Sequence, residues 1–503
     1  MTRLLLLLVF ATNLHAGLLG DLKRGAHPVG FKVIERYDAS RPFIYPFDID
    51  GKRRSGVDRP MQISVWYPAM SESRSPMTLG DYVALMPREQ DFAATGDGAG
   101  IYFNFDRLRT ATPEQRKQIL AMEATAVRDA RASNGTFPLI LWSLGSPALY
   151  HASAEYLASH GYVIAIMPRL PATRSLVDAA QTREDHDAKS RDMAFMLEEL
   201  SRFAPADTAN VGVTGFSAGG RWALGEAMRN PNVRGVVSHD SILLFGDGQQ
   251  FAEMPFYAAD RVRVPLLHMI RREWVPRETS TLWNELRHSD RVKWVFETPG
   301  VDHVDFTGAP YAGTLAGMHA EHRKAIADTF HAFNRATLVF FDWTLKGDAA
   351  PWQKIAGGTG DASISVERGA VTAKLPDPRM IQEALVESTD RALELFRKVW
   401  KESGTPPVPE GTLNLAGYQL IALGRPKDAL KAFSTNAVAF PTSSNVYDSL
   451  ADGYQANGDP AKALELSQKV LELLPNDASI TPERRELIRR SAEARIQQLS
   501  ERR

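Results

Sequence analysis

The chain has 503 residues, 44% of them hydrophobic, which is more than one ordinary core accommodates and points to roughly two to four domains. With 59 basic against 60 acidic residues and a net charge of -1, no nucleic-acid partner is indicated. The absence of cysteine excludes disulfides, thiolate metal sites and a cysteine nucleophile.

In chain order, a basic start at Arg3, an apolar run from Leu4 to Ala11 and the small Ala16 predict an export signal over 1–16. The mature protein is therefore expected in a periplasm or secreted to the medium. No later run approaches the roughly 18 apolar residues that span a bilayer, so no transmembrane segment is expected.

From 17 to 370, short β-branched or apolar runs alternate with amphipathic segments and Gly/Pro-rich joints, which is the pattern of an α/β sheet flanked by helices. Strands are predicted at Phe31–Tyr37, Met61–Tyr67, Pro138–Trp142, Tyr162–Met167, Asn210–Thr214, Val233–Val237, Val264–Ile270 and Arg291–Phe296. Between the second and third lies an insertion, 69–136, with helix-like stretches near Thr78–Met86 and Pro113–Ala132. It is either a lid over a site or a packing element that touches no substrate.

The tail, 371–503, is rich in helix formers, and Asp377-Pro378, Asp459-Pro460 and Thr481-Pro482 each place a capping side chain before a proline at the first helical position. Gly424 matches Gly458, Ala429 matches Ala463 and Pro441 matches Pro475, each at an offset of 34 residues, the tetratricopeptide period. Repeats are placed at about 408–441 and 442–475, with Pro378–Glu402 and Pro482–Arg502 as caps, because two such repeats bury too little surface alone. A protein partner, or docking within the chain, is the expected use of this tail.

The strongest chemical signal is Gly215-Phe216-Ser217-Ala218-Gly219, which follows a strand pattern and opens a helix pattern. In such an elbow the flanking glycines remove side chains that would collide, and the serine oxygen projects from the sheet. A serine hydroxyl needs a base to take its proton and a carboxylate to orient that base, and in this arrangement both lie downstream in the order acid, then histidine. His303, in the loop Pro299-Gly300-Val301-Asp302-His303 after a strand, is the predicted base. Asp240 is the predicted acid, with Glu273 in reserve because Arg271 and Arg272 would compete for its carboxylate. The oxyanion of an acyl-transfer transition state needs two backbone donors; the amides of Ala218 and Ser146 are chosen, with Gly145 in reserve.

Pro138–Ser146, Gly215–Gly220, Ser238-His239-Asp240, Gly300–His303 with Phe306, and the closing segment Phe340–Asp348 together resemble the platelet-activating-factor acetylhydrolase and dienelactone-hydrolase-like group of α/β-hydrolases. The resemblance spans roughly Met61 to Asp348. It implies a serine esterase for short or modified acyl groups, using no metal and no cofactor, with a small-molecule ester as substrate. Where members often carry His-Gly in the oxyanion loop, this chain has Leu144 before Gly145, a departure that bears on the second donor. There is no HExxH motif, and Glu184-Asp185-His186-Asp187 reads as a solvated helix start rather than a metal site. Two other functions remain open at this stage: a peptidase or thioesterase on the same triad, and a catalytically silent protein that binds peptides through its repeats.

Overall fold

The computed structural model describes residues 17–43, 57–172, 182–358, 360, 362–371, 378–477 and 479–501. The proposed export signal and Asp377 of the first helix cap lie outside these residues. The chain divides after Val371 into two compact units.

The first unit is built on one ten-stranded sheet: β1 (Val29–Pro42), β2 (Asp58–Pro68), β3 (Ala126–Arg128), β4 (Phe137–Trp142), β5 (Val163–Ile166), β6 (Ala206–Phe216), β7 (Val233–His239), β8 (Leu266–Arg271), β9 (Arg291–Phe296) and β10 (Ile364–Arg368), in the spatial order β10-β9-β8-β7-β6-β4-β5-β2-β1-β3. Strands β4 to β9 run parallel to one another, while β2 is antiparallel to both β1 and β5. Parallel strands are covered on both faces, which is why they read as nearly continuous apolar runs. Within β4 the alternation still sorts the side chains: Ile140 and Trp142 join the core with Phe330 and Phe340, whereas Leu139 and Leu141 join the one with Met193, Met196 and Leu224. The helices Pro147–Ser159 and Arg323–Lys346 contribute to the first core, and Arg183–Ser201 and Gly219–Arg229 to the second. Helix Arg323–Lys346 stops where Gly347 turns into the left-handed region at φ +80°.

Eight strands fall where periodicity places them. The edge strands β3 and β10 were not expected: β3 has three residues and pairs with β1, and β10 pairs antiparallel with β9. The stretch 113–132 is a helix only over Pro113–Leu120, capped by Thr112; its remainder crosses to β3.

The insertion is sewn into the core. Leu79, Tyr82, Tyr102, Phe103, Leu108 and Ile119 are all buried in the same cluster as the sheet residues Phe31 and Trp66. Glu155, buried in helix Pro147–Ser159, accepts from the Tyr82 hydroxyl at 2.7 Å and from the Thr125 amide and hydroxyl at 2.7 and 2.8 Å. Burial works to raise that carboxyl, yet these donors and His151 hold it below the usual carboxylate range.

The second unit is all-helical: Pro378–Glu387, Thr389–Ser403, Glu410–Ala422, Pro426–Ala439, Ser444–Ala456, Pro460–Leu473 and Pro482–Ser500. The expected first cap is two helices, broken before Thr389, rather than one. Asp459 and Thr481 cap their helices through the amides of Lys462 and Arg484. Each 34-residue segment holds one helical pair, and the matched Ala429 and Ala463 are both fully buried.

Candidate active site

Ser217 follows β6 and precedes helix Gly219–Arg229, with φ at +55°, a left-handed conformation rarely adopted by a residue with a side chain. Two contacts hold it there: its amide donates to the His239 carbonyl at 3.1 Å, and its carbonyl accepts from the Ile242 amide at 3.3 Å. Space explains the neighbouring glycines. A Cβ at Gly215 would sit 2.3 Å from the Gly219 carbonyl, and one at Gly220 would sit 2.0 Å from the Ser241 hydroxyl. Ser217 itself remains partly exposed.

Asp240 lies just past the end of β7, also in the left-handed region at φ +35°, and is fully buried. Its Oδ2 is 2.7 Å from Nδ1 of His303, and its Oδ1 accepts from the Arg271 amide at 2.9 Å. A buried ionised carboxylate accepts only, so it makes Nδ1 the protonated nitrogen and leaves Nε2 free to take a proton. The imidazole is fixed by aromatic faces as well: the rings of Phe216 and Trp274 each lie 4.3 Å from it. Phe216 is the residue before Ser217, so the serine and the imidazole share one packing element.

Glu273, the reserve acid, is exposed on the 3₁₀ turn Arg272–Arg277. The competition from cations falls instead on Asp240, since Arg271 Nε lies 3.4 Å from its Oδ2. Arg271 also reaches Asp302 at 3.1 Å and covers Trp274, with its guanidinium 4.4 Å from the ring centre. Of the other downstream histidines, His268 is fully buried.

The loop after β4 approaches the serine turn closely. Ser143 donates its amide to Thr214 at 2.8 Å and its hydroxyl to the Gly219 carbonyl at 2.6 Å. The Gly145 amide is committed to the Met167 carbonyl at 3.0 Å, which removes the reserve oxyanion donor. Ser146 stands just before helix Pro147–Ser159, and its hydroxyl makes no capping hydrogen bond. Leu144, which sequence reasoning passed over, brings its amide nitrogen within 3.8 Å of where a Cβ on Gly219 would lie. The departure from His-Gly at this position was the available signal. Near Ser146 is Glu89 of the insertion, whose carboxyl is pushed up to about 7 by burial, opposed by the neighbouring Ser146 hydroxyl and Lys189.

A second serine, histidine and carboxylate set stands nearby. Ser238 Oγ is 2.9 Å from His268 Nδ1, His268 Nε2 is 2.6 Å from Glu278, and Glu278 pairs with Lys293 at 2.7 Å. It is sealed from solvent, with Ser238 and His268 fully buried. The segment Glu184–Asp187 forms the first turn of a helix capped by Thr182, as expected, and is solvated in part, with Glu184 exposed and Asp187 half-exposed. Asp185 and His186 are buried, and His186 Nδ1 lies 3.0 Å from the indole nitrogen of Trp222. Among the described residues no cluster of three or more metal-ligating side chains occurs, and no helix is long and apolar enough to cross a membrane.

No family model and no curated protein matches the chain. Among solved structures, a ferulic acid esterase from Streptomyces cinnamoneus is similar, with a TM-score of 0.48 and 19% sequence identity over 69% of this chain and 98% of that one.

Proposed function

We propose that the first unit is a serine hydrolase of the α/β-hydrolase fold that cleaves carboxylic esters of short or modified acyl groups through an acyl-enzyme. The observation that carries this reading is the 2.7 Å pair between buried Asp240 and His303, packed through Phe216 against a serine held at φ +55° on a strand-to-helix turn. Support for the fold comes from the sheet, in which an antiparallel β2 precedes a parallel set that crosses over at β4 and β5.

In this mechanism His303 Nε2 takes the proton of the Ser217 hydroxyl as its oxygen bonds to the ester carbonyl carbon. The resulting oxyanion is met by the Ala218 amide and by a second amide from the loop after β4. Ser146 was the first choice for that donor, and the position of Leu144 beside Gly219 makes it the stronger one. Collapse expels the alcohol, which receives the proton from His303. Water, deprotonated by the same imidazole, then releases the acid. Asp240 holds the imidazole in one tautomer throughout. The insertion, packed into the core, acts as a scaffold for the site.

We further propose that 1–16 directs export and that the second unit is a pair of tetratricopeptide repeats with flanking caps. The 34-residue recurrence and one helical pair per recurrence support the latter.

The test is hydrolysis of acetyl and butyryl esters by the mature protein, with a fluorophosphonate label located by mass spectrometry. Turnover with the label on Ser217 is expected. A folded protein with neither would sink the reading and move attention to peptide binding by the repeats.

A further inference from the structure

The loop that carries His303 is held from the insertion. Arg107, on the short 3₁₀ turn Asp106–Leu108, donates from Nη2 to the Gly300 carbonyl at 2.9 Å and to Asp305 Oδ2 at 3.1 Å. Its Nε lies 3.0 Å from Asp305 Oδ1. Asp305 is fully buried, and its Oδ2 accepts from the Asp302 amide at 2.8 Å, closing a capping box around the turn that starts at His303. The two oxygens of Asp302 face different arginines: Arg271 at 3.1 Å from Oδ1, and Arg107 at 4.0 Å from Oδ2. His303 therefore sits on a short turn whose backbone carbonyl, capping carboxylate and preceding side chain are all tied to fixed cations.

We infer that Arg107 is a positioning residue for His303, so that the insertion takes part in the chemistry by holding the base in place. The inference rests on the serine-hydrolase reading above. Its physical basis is that a general base displaced by a fraction of an ångström from the serine loses much of its effect, while substrate binding, which depends on other surfaces, is little changed.

The ionic link has its own titration. Burial pushes the Asp305 carboxyl up to about 6, opposed by the Asp302 amide and the Arg107 charge. The groups that face this cluster are Arg107, Arg271 and Asp302, with His319 near Arg107 and His322 beside Gly300. Below about pH 6 Asp305 is neutral and the grip of Arg107 weakens.

The experiment compares the parent with Arg107→Met and Arg107→Lys in ester turnover and in the rate of fluorophosphonate labelling at Ser217, with circular dichroism as a check on folding. Arg107→Met should lower kcat by on the order of 10- to 100-fold with KM changed by less than about twofold, and Arg107→Lys should recover part of the loss. The ratio of parent to Arg107→Met labelling rates should shrink as the pH falls through about 6, because the parent then loses the same contact. A folded Arg107→Met with parental kcat, a loss carried wholly by KM, or a ratio independent of pH overturns the inference. Should Arg107→Met not fold, Asp305→Asn with unchanged kcat overturns it equally. Failure of the parent to take the label would instead sink the hydrolase reading, and this inference with it.

Discussion

Two serine, histidine and carboxylate sets lie one strand apart in this protein, and they differ in the features that make one of them the proposed reactive arrangement. Ser238, His268 and Lys293 are register neighbours across β7, β8 and β9, so the sheet itself brings them together. Their hydrogen bonds are short, and none of the side chains is more than 9% exposed. The other set is assembled from strand ends. Ser217 follows β6, Asp240 follows β7, and His303 follows β9; the first two adopt left-handed backbone conformations, and His303 keeps 22% of its side chain exposed. Hydrogen bonding alone would rank the sealed set at least as high. What distinguishes the second is the left-handed backbone at Ser217 and the partial exposure of Ser217 and His303, the features on which the proposed reactivity rests.

The sharpest way to break this contrast is to remove each serine. Ser217→Ala should lower turnover by on the order of 10⁶ and abolish fluorophosphonate labelling while the protein stays folded, whereas Ser238→Ala should be labelled like the parent. Label on Ser238 would reverse the two assignments. Next in size, Asp240→Asn should lower kcat by about 10⁴, since the amide favours the wrong imidazole tautomer, and Glu273→Gln should stay close to parental activity. The opposite ranking would transfer the acid role to Glu273.

A smaller effect is expected in stability. Burial works to raise the Glu278 carboxyl, but His268 and Lys293 hold it below the usual range. A depressed folded value means that this group stabilises the fold above the unfolded carboxylate range, and that the contribution is lost as the pH falls through the folded value. Glu278→Gln should therefore cost about 3 kcal/mol in urea unfolding at neutral pH, and the difference from the parent should narrow on acidification. A constant difference would show that the charge is not what matters there. The smallest effect is that of Ser238→Ala on stability, about 1 kcal/mol, because one neutral hydrogen bond is removed.

The site could be read from the chain only as far as its parts are local. Gly215 and Gly220 are dictated by contacts within the turn and with the next strand end, and Asp240 and His303 each lie a few residues beyond an apolar run, so strand periodicity and the expected order of partners propose them, with Glu273 separated from Asp240 only by its neighbouring arginines. The oxyanion loop was harder. Gly145 is unavailable because Met167, on the segment leaving the adjacent strand β5, takes its amide, and no pattern within Trp142–Ser146 reports that. The edge strands escaped notice for a related reason. Three residues at Ala126–Arg128 carry too little periodicity, and become a strand only because β1 offers an unpaired edge.

By itself the sequence determined the order of elements, the serine turn and the positions of its proposed partners, since these follow from the alternation of apolar residues and from backbone space near glycine. Tertiary structure alone decided which amides remain for an oxyanion, that the Asp240 carboxylate is shared with Arg271, and that Arg107 grips Asp305 across 198 residues of chain. The physical reason is common to all three: a hydrogen bond depends on distance and direction between groups that the fold brings together, and separation along the chain carries no record of either.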